Sequence, residues 1–176
     1  METQIRMTIK ELLFDRGYGD INVGDEHDDC ITVPGVLCVY IIKDLKVGVN
    51  HMKDIKIALE TNDLNHAIVV YCQSITSFAK QYIDEMIQEN IRVEIFKRTE
   101  LYFNITKHDV VPKHTLLTSQ EKNELVRNLR IVPTQLPHIK HTDAMAKYMG
   151  LVKGDVVKID RKSEITENSI YYRICT

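Results

Sequence analysis

Two short runs without a charged residue, Val36-Leu37-Cys38-Val39-Tyr40-Ile41-Ile42 and Ala67-Ile68-Val69-Val70-Tyr71-Cys72, constrain this chain more than any other feature. A strand with one wet face alternates apolar and polar residues, so a strand apolar throughout must be covered on both faces. Between the runs, Met52, Ile55 and Leu59 recur at helical spacing, with Asn50 placed to cap that helix. After the second run Thr76 is placed to cap another helix, with Phe78, Tyr82, Met86 and Ile87 as its expected apolar stripe. Ile91, Val93 and Ile95 then alternate with Arg92, Glu94 and Phe96, and Leu101, Phe103 and Ile105 alternate again. Strand, helix, strand, helix, strand predicts an α/β unit: a largely parallel sheet with helices packed on it. Ahead of it, Ile5, Ile9, Leu12 and Leu13 share one face of a helix that stops at Gly17, and Gly19 to Asp29 reads as an acidic loop.

The second part of the chain reads differently. Val110-Val111-Pro112 is expected to be extended, because proline pushes its predecessor out of helical geometry, and this places a domain boundary between residues 105 and 106. Thr118-Ser119-Gln120-Glu121 is a capping box, opening a helix with Leu125, Val126 and Leu129 on its buried side. Pro133 and Pro137 bracket an expected extended connection. A short helix runs from about Asp143 to Met149 and ends at Gly150, which is expected to cap it. Val156 to Ile159 and Ile170 to Cys175 read as strands joined through a polar turn at Glu167 and Asn168. Residues 106–176 are thus expected to form a small α+β unit, marginal in stability alone.

Composition narrows the function classes. The chain is 44% hydrophobic and 27% charged, and no apolar run approaches the roughly 20 residues that span a bilayer. The opening stretch mixes Glu2, Arg6 and Lys10 with apolar residues, unlike a secretory signal, so a soluble intracellular protein without a membrane partner is expected. Residues 1–105 carry 11 Lys/Arg against 17 Asp/Glu, and the remainder 12 against 8. That asymmetry suits two modules with different partners, but the basic excess is too thin for a stand-alone nucleic-acid binder. Cys30, Cys38, Cys72 and Cys175 form no CxxC pair and are expected to be reduced structural thiols. His138 and His141 stand three apart with no further ligand nearby, so no metal site is expected. With no GxGxxG, P-loop or nucleophile elbow, neither a cofactor nor a small-molecule substrate is expected.

Several stretches of the second half, in order, resemble the assembly domain of the fifth subunit of multisubunit nuclear RNA polymerases and the corresponding small subunit of archaeal polymerases. They are Val111-Pro112-Lys113-His114, Gln135-Leu136-Pro137, Thr142-Asp143-Ala144-Met145-Ala146-Lys147-Tyr148-Met149-Gly150 and Lys153-Gly154-Asp155-Val156-Val157-Lys158-Ile159. They close on Arg161-Lys162-Ser163-Glu164 and Tyr172-Arg173. More loosely, Asp15-Arg16-Gly17-Tyr18, Lys46-Val47-Gly48-Val49, Ser77-Phe78-Ala79-Lys80 and Asn104-Ile105-Thr106-Lys107-His108 resemble that family's N-terminal jaw domain. The chain departs from the family in a shortened segment between Tyr18 and Ile31, and in Ile165-Thr166-Glu167 where the family continues Thr-Ala-Gly. The trimmed length and many Ile and Asn suggest a polymerase of a large DNA virus.

The resemblance implies a non-catalytic subunit of DNA-directed RNA polymerase, with a restriction-endonuclease-like jaw at residues 1–105 and an assembly domain at residues 106–176. The assembly domain would dock on the largest subunit through Pro112, His114, Gln135, Leu136, Pro137, Asp143, Gly150, Gly154, Arg161, Tyr172 and Arg173. Prolines pre-order extended segments and so lower the entropy lost on docking, while Arg161 and Arg173 offer bidentate contacts to carboxylates. The jaw would lie near downstream duplex DNA, where Thr76 and Ser77 open a helix toward a phosphate and Lys80 follows one turn later. Location follows: the nucleus for a cellular polymerase, the virion and cytoplasmic factory for a viral one. Two other readings stand beside this one. A free-standing adaptor would share the fold. A metal-dependent nuclease would use Asp44-Leu45-Lys46 or Asp54-Ile55-Lys56.

Overall fold

The computed structural model describes residues 2–19, 29–161 and 169–176. Residues 20–28 of the expected Gly19 to Asp29 loop, the turn at Glu167 and Asn168, and the stretch Lys162-Ser163-Glu164 lie outside the described residues. The chain divides into two units, Met1–Phe103 and Asn104–Thr176.

The first unit runs α1 (Glu2–Asp15), β1 (Cys30–Val33), β2 (Leu37–Ile41), β3 (Lys46–Val47), α2 (Val49–Thr61), β4 (His66–Tyr71), β5 (Ser74–Ile75), α3 (Ser77–Gln88) and β6 (Arg92–Lys97). Its main sheet has the order β1-β2-β4-β6, with β2, β4 and β6 parallel and β1 antiparallel at the edge. The apolar runs occupy β2 and β4, as their lack of charge requires. One face, carrying Cys38, Ala67 and Val69, packs against Met52, Ile55 and Leu59 of α2 and Ala79, Ile83 and Met86 of α3. The opposite face carries Leu37, Val39, Ile41, Ile68 and Val70, all at most 1% exposed. Helix α1 closes that face: Ile5, Ile9, Leu12 and Leu13 are buried, and Arg16 just beyond the helix bonds Glu94 on the same side of β6.

Three expectations for this unit change. Asn50 caps nothing; α2 starts at Val49 behind an extended Gly48, whose N–H donates to His51 Nδ1 at 3.2 Å. The buried stripe of α3 is Ala79, Ile83 and Met86, whereas Phe78 is 73% and Ile87 51% exposed. The small Ala79 lets α3 approach the sheet, and a small residue does not advertise a buried face. The stretch from Leu101 to Ile105 is no strand but two 3₁₀ turns, at Arg98–Leu101 and Ile105–Lys107. Glu100 accepts the Lys97 N–H at 3.0 Å and Asn104 Oδ1 accepts the Thr106 N–H at 2.9 Å, so local side-chain bonds displace a ladder.

The second unit contains β7 (Lys113–Leu116), α4 (Ser119–Leu129), β8 (His138–Ile139), α5 (Ala144–Met149), β9 (Val156–Arg161) and β10 (Ser169–Cys175). Its sheet has the order β7-β9-β10-β8. One face packs Leu136, Val156 and Ile174 with Leu125 of α4, Ile131 and Tyr172. The other packs Val157, Ile159 and Cys175 with Ala146 and Met149 of α5. The Asp143 carboxylate accepts the Met145 N–H at 2.9 Å to start α5, and Gly150 ends it at φ 65, a left-handed position that costs glycine nothing.

Three expectations change here too. Val110 sits in a turn, closed by the Val111 N–H on His108 O at 2.9 Å, and is not extended. Pro133–Gln135 is a 3₁₀ turn, because Pro133 suits a first helical position and Gln135 Oε1 accepts the Val132 N–H at 2.9 Å. Leu129 is 50% exposed, and no residue of α4 is fully buried. The capping box on α4 therefore matters more than packing suggests: Thr118 Oγ1 accepts from Glu121 N–H, and Glu121 accepts from Thr118 N–H. Thr118→Ala is expected to cost the second unit about 1 kcal/mol, read as a lower urea midpoint at unchanged slope.

Candidate functional site

The second unit carries a groove of about 970 Å³ beside α5, on the sheet face that holds Ile159, Tyr171 and Arg173. Alternation along the strands builds it. Tyr171 pairs with Ile159, and Ile159 pairs with His114, so the three stand side by side across β10, β9 and β7. Arg161 and Arg173 follow at every second residue of their strands. Pro112, Asp143 and Val110 complete the wall.

Five of the expected interface residues thus meet in one place: Pro112, His114, Asp143, Arg161 and Arg173. His114 Nδ1 donates to Pro112 O at 2.7 Å, which fixes the tautomer and leaves Nε2 as the acceptor nitrogen. Arg173 reaches His138 O only at 3.4 Å, so its guanidinium is weakly held from within. Asp143 is half committed to capping α5. The groove has an apolar component that sequence reasoning missed: Tyr171 is 51% and Val110 81% exposed. The signal for Tyr171 was its phase, two residues before Arg173 on the same face.

The other six serve the fold. Gln135 caps its own turn, Leu136 is buried under α4, and Pro137 O accepts the Ile174 N–H at 2.9 Å. Gly150 caps α5. Gly154, at φ 96, donates its N–H to Cys175 O, and its carbonyl accepts from Lys122 Nζ at 2.7 Å. Tyr172 points to the α4 side of the sheet.

In the first unit Thr76 is committed locally: its Oγ1 accepts the Ala79 N–H at 3.3 Å and its N–H donates to Val47 O at 3.0 Å. Ser77, Phe78 and Lys80 lie on the first turn of α3, with Phe78 and Lys80 exposed. For the nuclease reading, Asp44 accepts from His51 Nε2 at 2.8 Å and Lys56 pairs with Glu89. Among the described residues no three His, Cys, Asp or Glu side chains group as metal ligands. Sequence reasoning also missed a buried ion cluster. Glu94 accepts both Arg16 guanidinium nitrogens, at 3.2 and 2.7 Å, and also meets His66 Nε2 at 2.9 Å and Arg92 at 2.8 Å. Burial alone would raise the Glu94 carboxyl, but the His66 hydrogen bond and the Arg16 and Arg92 cations outweigh it and hold it at about 2.

Residues 103–175 match the family described as RNA polymerase Rpb5, C-terminal domain. The chain is 38% identical over 188 aligned positions to the Dictyostelium discoideum protein named DNA-directed RNA polymerases I, II, and III subunit rpabc1, covering 98% of this chain and 95% of that one. It is also 38% identical to the RPABC1 subunits of Caenorhabditis briggsae and Caenorhabditis elegans, over 77% of this chain and 64% of each of those. A match that runs almost end to end, together with the matched C-terminal domain, identifies the chain as a member of the fifth-subunit family of multisubunit DNA-directed RNA polymerases.

Proposed function

We propose that the chain serves transcription as a non-catalytic subunit of a DNA-directed RNA polymerase, its second unit docking on the largest subunit and its first lying near downstream duplex DNA. The observation that carries the docking half is the groove. It gathers two arginines, a histidine of fixed tautomer, a proline and an exposed tyrosine on one sheet face, the mix of aromatic anchor and Arg that protein interfaces concentrate. The second unit in this reading is the assembly domain and the first the jaw. The relatives are eukaryotic polymerase subunits, which supports a nuclear location; nothing in them supports the viral one.

Affinity purification of the tagged chain with mass spectrometry tests the reading. Equimolar recovery of the two largest polymerase subunits is the expected result. A chain recovered mostly free would favour the adaptor reading.

In the jaw, the first turn of α3 would meet the DNA backbone without reading sequence, through Ser77, Lys80 and free-turn N–H groups. Lys80→Ala is expected to leave the polymerase stoichiometry unchanged. It should reduce the salt slope of the assembled enzyme's DNA binding by about 1, as loss of one phosphate contact does. Loss of assembly in that variant would overturn the division of labour between the two units.

A further inference from the structure

The edge hairpin of the first unit holds a feature that neither docking nor DNA contact uses. In the β1–β2 ladder Cys30 lies opposite Tyr40 and Cys38 opposite Thr32, so the two cysteines are diagonal neighbours on one face. Their sulfurs are 2.7 Å apart, and Thr32 Oγ1 lies 3.2 Å from Cys38 Sγ. At this distance one thiol donates to the other sulfur, and only a small displacement separates the pair from the about 2.05 Å of a disulfide. Their surroundings differ. Cys30 is exposed, whereas Cys38 is 1% exposed and packs in the core against α2 and α3.

We propose that Cys30 and Cys38 are a redox-active dithiol that peroxide converts to an intramolecular disulfide, fastening the edge strand β1 to β2. The accessible Cys30 sulfur, its proton passed to Cys38 or to solvent, attacks one peroxide oxygen. The O–O bond breaks, the departing hydroxide leaves as water, and Cys30 becomes a sulfenic acid. The Cys38 sulfur then attacks Cys30; the S–S bond forms, the S–O bond breaks, and the hydroxide takes the remaining thiol proton to leave as a second water. Two thiols lose two electrons and two protons, and one peroxide is reduced to two waters.

The electrostatics place the resting thiolate on Cys38, so Cys38 serves as the base that takes the Cys30 proton as Cys30 attacks. The hydrogen bond from Cys30 draws the Cys38 thiol down to about 6 against the opposing effect of burial, while the same bond raises Cys30. The pair therefore gives up its first proton easily and keeps its second. Under a reducing cytosolic or nuclear poise it stays a dithiol, so the bond reports oxidation and is not a standing staple.

The test uses the full chain, reduced, desalted and exposed briefly to hydrogen peroxide, then alkylated with iodoacetamide. The chain has four cysteines. The expected product is lighter by about 2 Da before alkylation, keeps two alkylatable thiols, and yields a Cys30–Cys38 linked peptide on unreduced digestion. Cys30→Ser, at an exposed position that leaves the core intact, is expected to keep all its remaining thiols alkylatable through the same treatment. Four alkylated cysteines after peroxide, a disulfide involving Cys72 or Cys175, or only disulfide-linked dimers would each overturn the proposal.

Discussion

Glu94→Ala is expected to destabilise the first unit by about 3–5 kcal/mol and lower its unfolding midpoint by on the order of 15 °C. The size follows from where the charges sit. The Arg16 side chain is 6% and the Glu94 side chain 14% exposed, so neither is paid back by water when its partner goes. Glu94 receives a bidentate guanidinium pair from Arg16 while also meeting His66 and Arg92. Removing the carboxylate takes the shared acceptor from the buried Arg16 and His66, while Arg92, 41% exposed, can turn to water. Native-state hydrogen exchange at Ile68 to Val70 reads the loss, with the amides of β10 as an internal control in the other unit. A cost under about 1 kcal/mol would mean that the cluster is solvated in solution. A coupled apolar replacement, Arg16→Met with Glu94→Leu, is expected to recover much of the loss, because it removes both charges together.

The same cluster sets an acid limit. The Glu94 carboxyl is held at about 2 in the folded chain and has its ordinary value when unfolded. A carboxyl depressed by folding contributes stability that is fully present above the unfolded value and disappears as pH falls toward the folded one. The contribution is on the order of 3 kcal/mol at neutral pH, in line with the cost of the alanine variant. The first unit should therefore lose stability steeply between pH 4.5 and pH 2, and Glu94→Gln should flatten that slope. Unfolding midpoints of the two chains across this range check it.

How much of this could be read from residues alone depends on how far each contact reaches. The parallel core was legible because β2 and β4 carry no charge and α2 keeps a helical period. Strands β3, β5 and β8 are two residues long and leave no period to detect. The Arg16–Glu94 bond joins residues 78 apart, and Glu94 in an alternating strand looked like the wet side of a sheet. It faces α1 instead, which turns an expected solvent residue into a buried one. Phe78 and Ile87 misled in the opposite sense: size suggested burial, but the packing of α3 needed the small Ala79 on the sheet side. The groove was half legible. Gln135, Leu136 and Pro137 formed a recognisable string, yet their polar and apolar groups turn inward to hold the turn before β8. Arg173 makes only a long contact to His138 O, and strand phase brings it and Arg161 to the same face as His114 and Tyr171.

That contrast sets the second large expectation: Arg161→Ala with Arg173→Ala should weaken docking on the largest subunit by roughly 10–100-fold, or about 1.4–2.8 kcal/mol. Both side chains are exposed and contribute to the wall of the groove, so their loss should leave the isolated chain's unfolding midpoint nearly unchanged. Gln135→Ala should behave in the reverse way, lowering the stability of the second unit while sparing the groove chemistry. Competition for assembly between differently tagged wild-type and variant chains, co-expressed in one cell, measures the first effect without purifying the partner. The partner chemistry can be read from the salt dependence. If the arginines meet carboxylates buried at the centre of the interface, the defect appears in dissociation and persists at high salt. If they sit at its rim, association slows and the difference shrinks as salt rises. Arg161→Lys with Arg173→Lys separates charge from geometry: a bidentate contact to carboxylate is lost with lysine, whereas a general attraction to an acidic surface is kept. Equal assembly of the alanine variant and wild type would remove the groove from the docking surface altogether, and would leave the exposed apolar residues Val110 and Tyr171 without a role in it.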